Sequence, residues 1–96
     1  MPHNTMTIEI FSAPGCNKCS KTFQLAEAVL KELDDESINL RRVNVVEELD
    51  YAVELGIRAT PSIVINGTLL FTAMPGTEAL RRAILSQRTS INQEQP

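Results

Sequence analysis

The sequence predicts an α/β fold, a mixed four-stranded sheet with helices packed on it, in the order β-α-β-α-β-β-α. Three observations carry this. Strand-like apolar runs alternate with segments of helical periodicity. A helical crossover joins the first two strands, which makes them parallel. The pair Asn66-Gly67, the strongest short hairpin signal, makes the last two strands antiparallel.

Residues 7–11 read as the first strand and 17–33 as the first helix. In that helix Cys19, Phe23, Ala26, Leu30 and Leu33 recur at steps of four and three, one apolar stripe. The polar break Asp34-Asp35-Glu36-Ser37 precedes a second strand over 38–45. Arg41 and Arg42 interrupt its alternation, which suits an edge. The second helix is expected over 48–55, with Leu49, Ala52 and Val53 on one face and Gly56 as its stop. Residues 62–65 form a β-branched strand that Asn66-Gly67 turns into 68–71. Pro75-Gly76 breaks the chain, Thr77 can cap, and 78–86 reads as the last helix, with Leu80, Ala83 and Ile84 inward. Domain organisation follows: an N-terminal extension over 1–5, one domain over 6–86, and a polar, mobile tail over 87–96.

A chain of 96 residues fits a single small domain, and 43% hydrophobic residues is ordinary for a globular one. The net charge of −3 argues against nucleic acid and anionic membrane as partners. No apolar run is long enough to span a bilayer. The segment Met1-Pro2-His3-Asn4-Thr5 has neither a basic n-region nor an apolar h-region, so no secretory signal is expected. Two cysteines are too few for a disulfide-stapled scaffold. The expected compartment is the reducing cytoplasm, although a mature exported chain would read the same, and the expected state is a monomer.

Both cysteines fall within Pro14-Gly15-Cys16-Asn17-Lys18-Cys19, directly after the first strand and at the start of the first helix. Two thiols at that spacing can close a small ring reversibly. Cys16 lies where a helix N-terminus offers unpaired N–H groups and partial positive charge, which favour a thiolate nucleophile. Cys19 lies one turn inward on the apolar stripe, as suits a shielded resolving thiol. The bland alternative is a pair of buried small hydrophobes. A structural zinc site needs four ligands, and beyond the two cysteines the chain offers the lone His3; a metal shared between two chains is the arrangement left open.

The chain resembles the thioredoxin superfamily over residues 6–86. The matching stretches are Ile8 to Cys19, Val43 to Glu48, and Gly56 to Gly67. The most specific part is C-x-x-C after the first strand combined with Thr60-Pro61 before the third. In that family the proline is cis and lies against the active disulfide. The sequence departs from thioredoxin proper by carrying Gly15 before Cys16, Asn17-Lys18 between the cysteines, and Ile10 where a buried Asp is usual. Of the Gly-Gly pair that glutaredoxins carry near the last helix, it has Gly76 alone. It is most similar to small glutaredoxin-sized thioredoxin-like proteins of bacteria and archaea.

The resemblance implies a dithiol–disulfide oxidoreductase acting on disulfide-containing proteins, with Cys16 attacking and Cys19 resolving. It implies no bound cofactor beyond the redox-active Cys16–Cys19 disulfide. The electron donor is left open between a thioredoxin-reductase-like flavoenzyme, glutathione and a dedicated partner. Gly15, Thr60, Pro61, Met74 and Gly76 are the expected substrate-binding residues, with the Thr60 backbone open to an added strand. Met74 and Pro75 either form an apolar docking patch or merely close their loop. Asn17 and Lys18 are the candidates for tuning the thiolate; each reads equally as an ordinary helix-start residue. Tyr51 is expected to pack on helix two, Phe11 and Phe71 in the core. The alternative function is a binding module of the same fold, using the cysteine pair to handle a soft metal or as a redox switch for docking.

Overall fold

The computed structural model describes residues 5–93, with side chains as far as Arg88. Residues 1–4, including His3, and 94–96 lie outside the described residues. The elements are β1 (Met6–Ser12), α1 (Asn17–Leu33), β2 (Ile38–Asn44), α2 (Leu49–Leu55), β3 (Ser62–Ile65), β4 (Thr68–Phe71) and α3 (Thr77–Gln93). They form one sheet in the order β2-β1-β3-β4. β1 runs parallel to β2 and antiparallel to β3, and β3 pairs antiparallel with β4 across a bulge between Ile63 and Val64. Among the described residues no helix is long and apolar enough to cross a membrane.

The period-2 geometry of β1 sorts the core onto two faces. Met6, Ile8 and Ile10 meet Ala26 and Val29 of α1 and Leu80 and Ile84 of α3. Phe11 points the other way, toward Val43, Val64 and Ala52 of α2. The Asn66-Gly67 turn has φ of 50° and 82°, two successive left-handed residues as a type I′ turn requires. Gly56 ends α2 in a Schellman arrangement: its N–H donates to the Val53 carbonyl, and that of Ile57 to the Ala52 carbonyl. Asn44 starts the approach to α2, its Oδ1 accepting from the N–H groups of Val46 at 2.8 Å and Glu47 at 3.3 Å.

Three details depart from the periodicity reading. On α2, Ala52 is buried, but Leu49 is 59% exposed and Val53 66% exposed. In a two-turn helix the sheet is met by Tyr51, Ala52 and Leu55, which leaves the i, i+4 pair Leu49 and Val53 outside. Glu48 precedes α2 as its cap instead of opening it. The third departure is α3, which runs past Ser86 to Gln93, so 87–93 are helical where the periodicity reading ends the helix at Ser86. Nothing in that stretch stops a helix, since it contains neither Gly nor Pro.

Arg88 is anchored there by donating to Asp35 Oδ2 at 2.8 Å. Asp35 also accepts from the Ser37 hydroxyl at 2.6 Å and the Ser37 N–H at 2.9 Å. These Ser37 bonds first, then Arg88, pull its carboxyl from the ordinary 3.8 down to about 2. A folded-state pKa below the unfolded value gives stability that is fully present above pH ~4 and lost as pH falls toward ~2. Asp35→Asn is expected to cost on the order of 1 kcal/mol at pH 7 and to flatten that acid limb. Urea midpoints measured across pH 2 to 7 check both.

Candidate active site

β1 ends at Ser12, and Ala13-Pro14-Gly15 carry the chain to the start of α1. Gly15 adopts φ 78°, the left-handed region that glycine enters without steric cost, and the Cys16 N–H donates back to the Ala13 carbonyl at 3.2 Å. This turn delivers Cys16 as the N-cap of α1, in extended conformation, with no side chain capping the first turn and no acidic residue in it. Cys16 is half-buried and Cys19 fully buried. The two are joined by a disulfide, with their Cα atoms 5.4 Å apart. Asn17 and Lys18 between them are exposed. Thr22, fully buried on the same stripe, donates its hydroxyl to the Lys18 carbonyl at 2.7 Å, which ties down the first turn.

The sheet register brings a second segment to the cysteines. Phe11 pairs with Ser62, so the chain just before β3 lies beside the chain just after β1. That segment holds Thr60-Pro61, whose peptide bond is cis. The Ser62 hydroxyl donates to the Ala59 carbonyl at 2.6 Å and closes the turn around it. A groove of about 440 Å³ runs along Thr60 and Pro61, with Lys18 on one side and Met74, Pro75 and Gly76 on the other. Met74 is 39% exposed, an apolar side chain at the groove's rim. Gly15, Cys16 and Asn17 instead line a separate polar pocket, shared with Ser12, Ser20 and Arg42.

Ile10 is fully buried in the α1-side core, so no carboxylate stands at that position. The β1 carboxylate, Glu9, lies on the opposite face, 5% exposed. It accepts from the Tyr51 hydroxyl at 2.7 Å and from Arg41 Nε at 2.9 Å. Arg41 also reaches Glu48 at 3.4 Å. The hydrogen bond to Glu9, and then burial, raise the Tyr51 pKa above its ordinary value, and the same carboxylate raises that of Arg41. Glu9 is thereby engaged by α2 and β2 on the face away from α1.

Sequence reasoning passed over this network and over Arg42. Both had a signal. Glu9 is a charge inside the most apolar strand, and the parallel register places Arg41 directly beside it. Arg42, adjacent along β2, faces α1 instead: its Nε donates to the Ser12 hydroxyl at 3.2 Å and its terminal nitrogen to the Ser20 hydroxyl at 3.3 Å. The two arginines that break the apolar alternation therefore serve opposite faces of an edge strand.

Residues 6–85 match the family model for the thioredoxin domain. The chain is 40% identical over 77 residues to a thioredoxin of Methanocaldococcus jannaschii, covering 80% of this chain and 89% of that one. It is 32% identical over 77 residues to a probable thioredoxin of Methanothermobacter marburgensis, covering 80% and 89%. The fold superposes on the X-ray structure of Fasciola hepatica thioredoxin with a TM-score of 0.71 at 21% identity, over 90% of this chain and 84% of that one. With a disulfide-linked C-x-x-C pair at the head of α1 and near-complete coverage of the domain, the chain belongs to the thioredoxin family and is a dithiol–disulfide oxidoreductase.

Proposed function

We propose that the chain reduces protein disulfides, with Cys16 as nucleophile and Cys19 as resolving thiol. The observation that carries this is the asymmetry of the pair: Cys16 is reachable at an uncapped helix start, whereas Cys19 is sealed beneath it. In the reduced protein the Cys16 thiolate attacks one sulfur of the substrate disulfide. A mixed disulfide forms and the other substrate sulfur leaves as a thiolate. Cys19, losing its proton, then attacks the Cys16 sulfur, which closes the internal disulfide and releases the second substrate thiolate. Two electrons pass from the dithiol to the substrate. An extended segment of the substrate lies in the Thr60-Pro61 groove, pairing with the Thr60 backbone, with Met74 and Gly76 shaping the far wall. Lys18, at the groove's edge, adds positive charge near the attacking thiolate.

The division of roles sets the order of acidity. Cys16 is expected to titrate below the ~8.5 of an unperturbed thiol, because first-turn N–H groups and the helix dipole favour its charged form. Cys19 is expected above it, since burial disfavours charge and a Cys16 thiolate repels a second one. With Ile10 fully buried in the core and Glu9 turned to the other face, no β1 carboxylate serves Cys19. Its proton then goes to water or to the departing substrate thiolate. The test combines two measurements: catalysed reduction of a model protein disulfide with dithiothreitol as donor, and mass-spectrometric localisation of alkylation in the reduced protein as pH rises. Reduction no faster than dithiothreitol alone would overturn the activity. Faster labelling of Cys19 at neutral pH would reverse the roles.

A further inference from the structure

We propose that Arg42 is a specificity-determining residue, selecting disulfides that carry a carboxylate near the bonded sulfur and seating that carboxylate in the polar pocket beside Cys16. This rests on the oxidoreductase reading above and adds a recognition element separate from the Thr60-Pro61 groove. The sheet order places the two on opposite sides of β1: the groove on the β3 side, the Arg42 pocket on the β2 side.

The pocket measures about 580 Å³, within the range that holds a small ligand or a side chain. Cys16 and Arg42 both line it, so a group held by one is presented to the other. Arg42 is held in place. Its guanidinium bonds to the hydroxyls of Ser12 and Ser20 and lies 6.0 Å from the centre of the Phe23 ring. These partners are neutral. Among the described residues no carboxylate lies in ion-pair range of Arg42 or Arg58, whereas Arg41, Arg81, Arg82 and Arg88 are each paired with one, and of the two unpaired arginines Arg42 alone lines the Cys16 pocket. Arg42 is thus a positioned fork with no direct ion pair and with spare donors, the form of cation that suits a carboxylate.

The rest of the lining limits what fits. Glu47 and Glu48 also line the pocket. Glu48 is engaged by Arg41 at 3.4 Å, but Glu47 has no ion-pair partner among the described residues. One carboxylate on Arg42 is accommodated; a densely anionic ligand is repelled. The carboxylate takes no part in the chemistry. It orients the disulfide so that one sulfur lies at Cys16, and bond making and breaking proceed as above.

The test is a ratio. Rates of reduction, as kcat/KM, are compared for dithiodipropionate and its neutral diamide, and for two disulfide-looped peptides that differ by Glu or Gln beside a cysteine. The native protein is expected to favour the carboxylate member of at least one pair by roughly three- to tenfold, the range for a well-oriented but partly exposed ion pair. Arg42→Gln should bring that ratio to about one, and added salt should shrink it. Arg42→Lys, which keeps the charge but loses the fork, should fall between; it carries the test if Arg42→Gln does not fold. Discrimination within the small pair alone assigns the pocket to small disulfides, and within the peptide pair alone to protein substrates. A ratio near one in the native protein, or the same ratio in native and Arg42→Gln proteins, overturns the proposal. If the native protein reduces no probe at all, the oxidoreductase reading has failed and this inference falls with it.

Discussion

Cys16→Ser is expected to lower turnover of a protein disulfide by at least about a thousandfold, because no other group in the pocket can open a disulfide. Cys19→Ser is expected to fail differently. Its Cys16 still attacks, but the mixed disulfide has no internal thiol to resolve it, so substrate accumulates covalently on Cys16. The two variants are therefore separated by mass spectrometry of non-reduced samples: free protein for the first, an adduct of protein and substrate for the second. The same stalled variant, incubated with cell extract, captures native substrates. Substantial turnover by Cys16→Ser, or adducts on Cys19 in place of Cys16, would contradict the proposed roles. Burial of Cys19 makes the second outcome sterically costly, since an incoming protein disulfide would have to displace the first turn of α1.

Phe11→Ala is expected to cost about 3–5 kcal/mol, a large share of the ~5–15 kcal/mol that holds a domain of this kind together. Phe11 has no exposed surface, and its ring lies against Val43, Ala52 and Val64, with the Tyr51 ring centre 5.7 Å away. Removing it empties the thin layer between the sheet and α2, a helix too short to stand without that contact. Function should suffer beyond the stability loss, because the Phe11–Ser62 pairing is what sets Pro61 beside the cysteine turn. Guanidinium unfolding gives the first effect, and the Michaelis constant for a protein substrate gives the second. A stability loss below ~1 kcal/mol would mean that the α2-side layer closes over the gap.

How much could be read in advance depended on whether the deciding interaction was local. The Asn66-Gly67 hairpin and the cysteine turn are written within a few neighbouring residues, and each stands where the sequence reading puts it; on α1 the fully buried line is Cys19, Thr22, Ala26 and Val29, with Phe23, Leu30 and Leu33 partly buried beside it. The inward face of α2 was not legible. Its apolar residues lie on two sides of seven residues, and contact with β1 through Phe11 chooses between them. The length of α3 is set by the absence of a stop and by Arg88 reaching Asp35, far away in sequence. At the site, Cys16, Cys19 and Thr60-Pro61 were legible as motifs. The Arg42 pocket was not, because it exists through the parallel register of β2 on β1, which carries Arg41 to one face and Arg42 to the other.

The bond between Tyr51 and Glu9 also has an optical consequence. Tyr51 is the single tyrosine, and the chain has no tryptophan, so emission excited beyond the phenylalanine band comes from this phenol. An excited tyrosine is a much stronger acid than one in the ground state, and a carboxylate accepting its hydrogen at 2.7 Å quenches it by drawing the proton away. The native protein is therefore expected to be dim and to brighten when α2 lifts from β1. That signal reports the β1–β2–α2 side alone; the layer between α1 and α3 is silent to it. Opening of the short helix can thus be followed without a label, separately from the rest of the molecule.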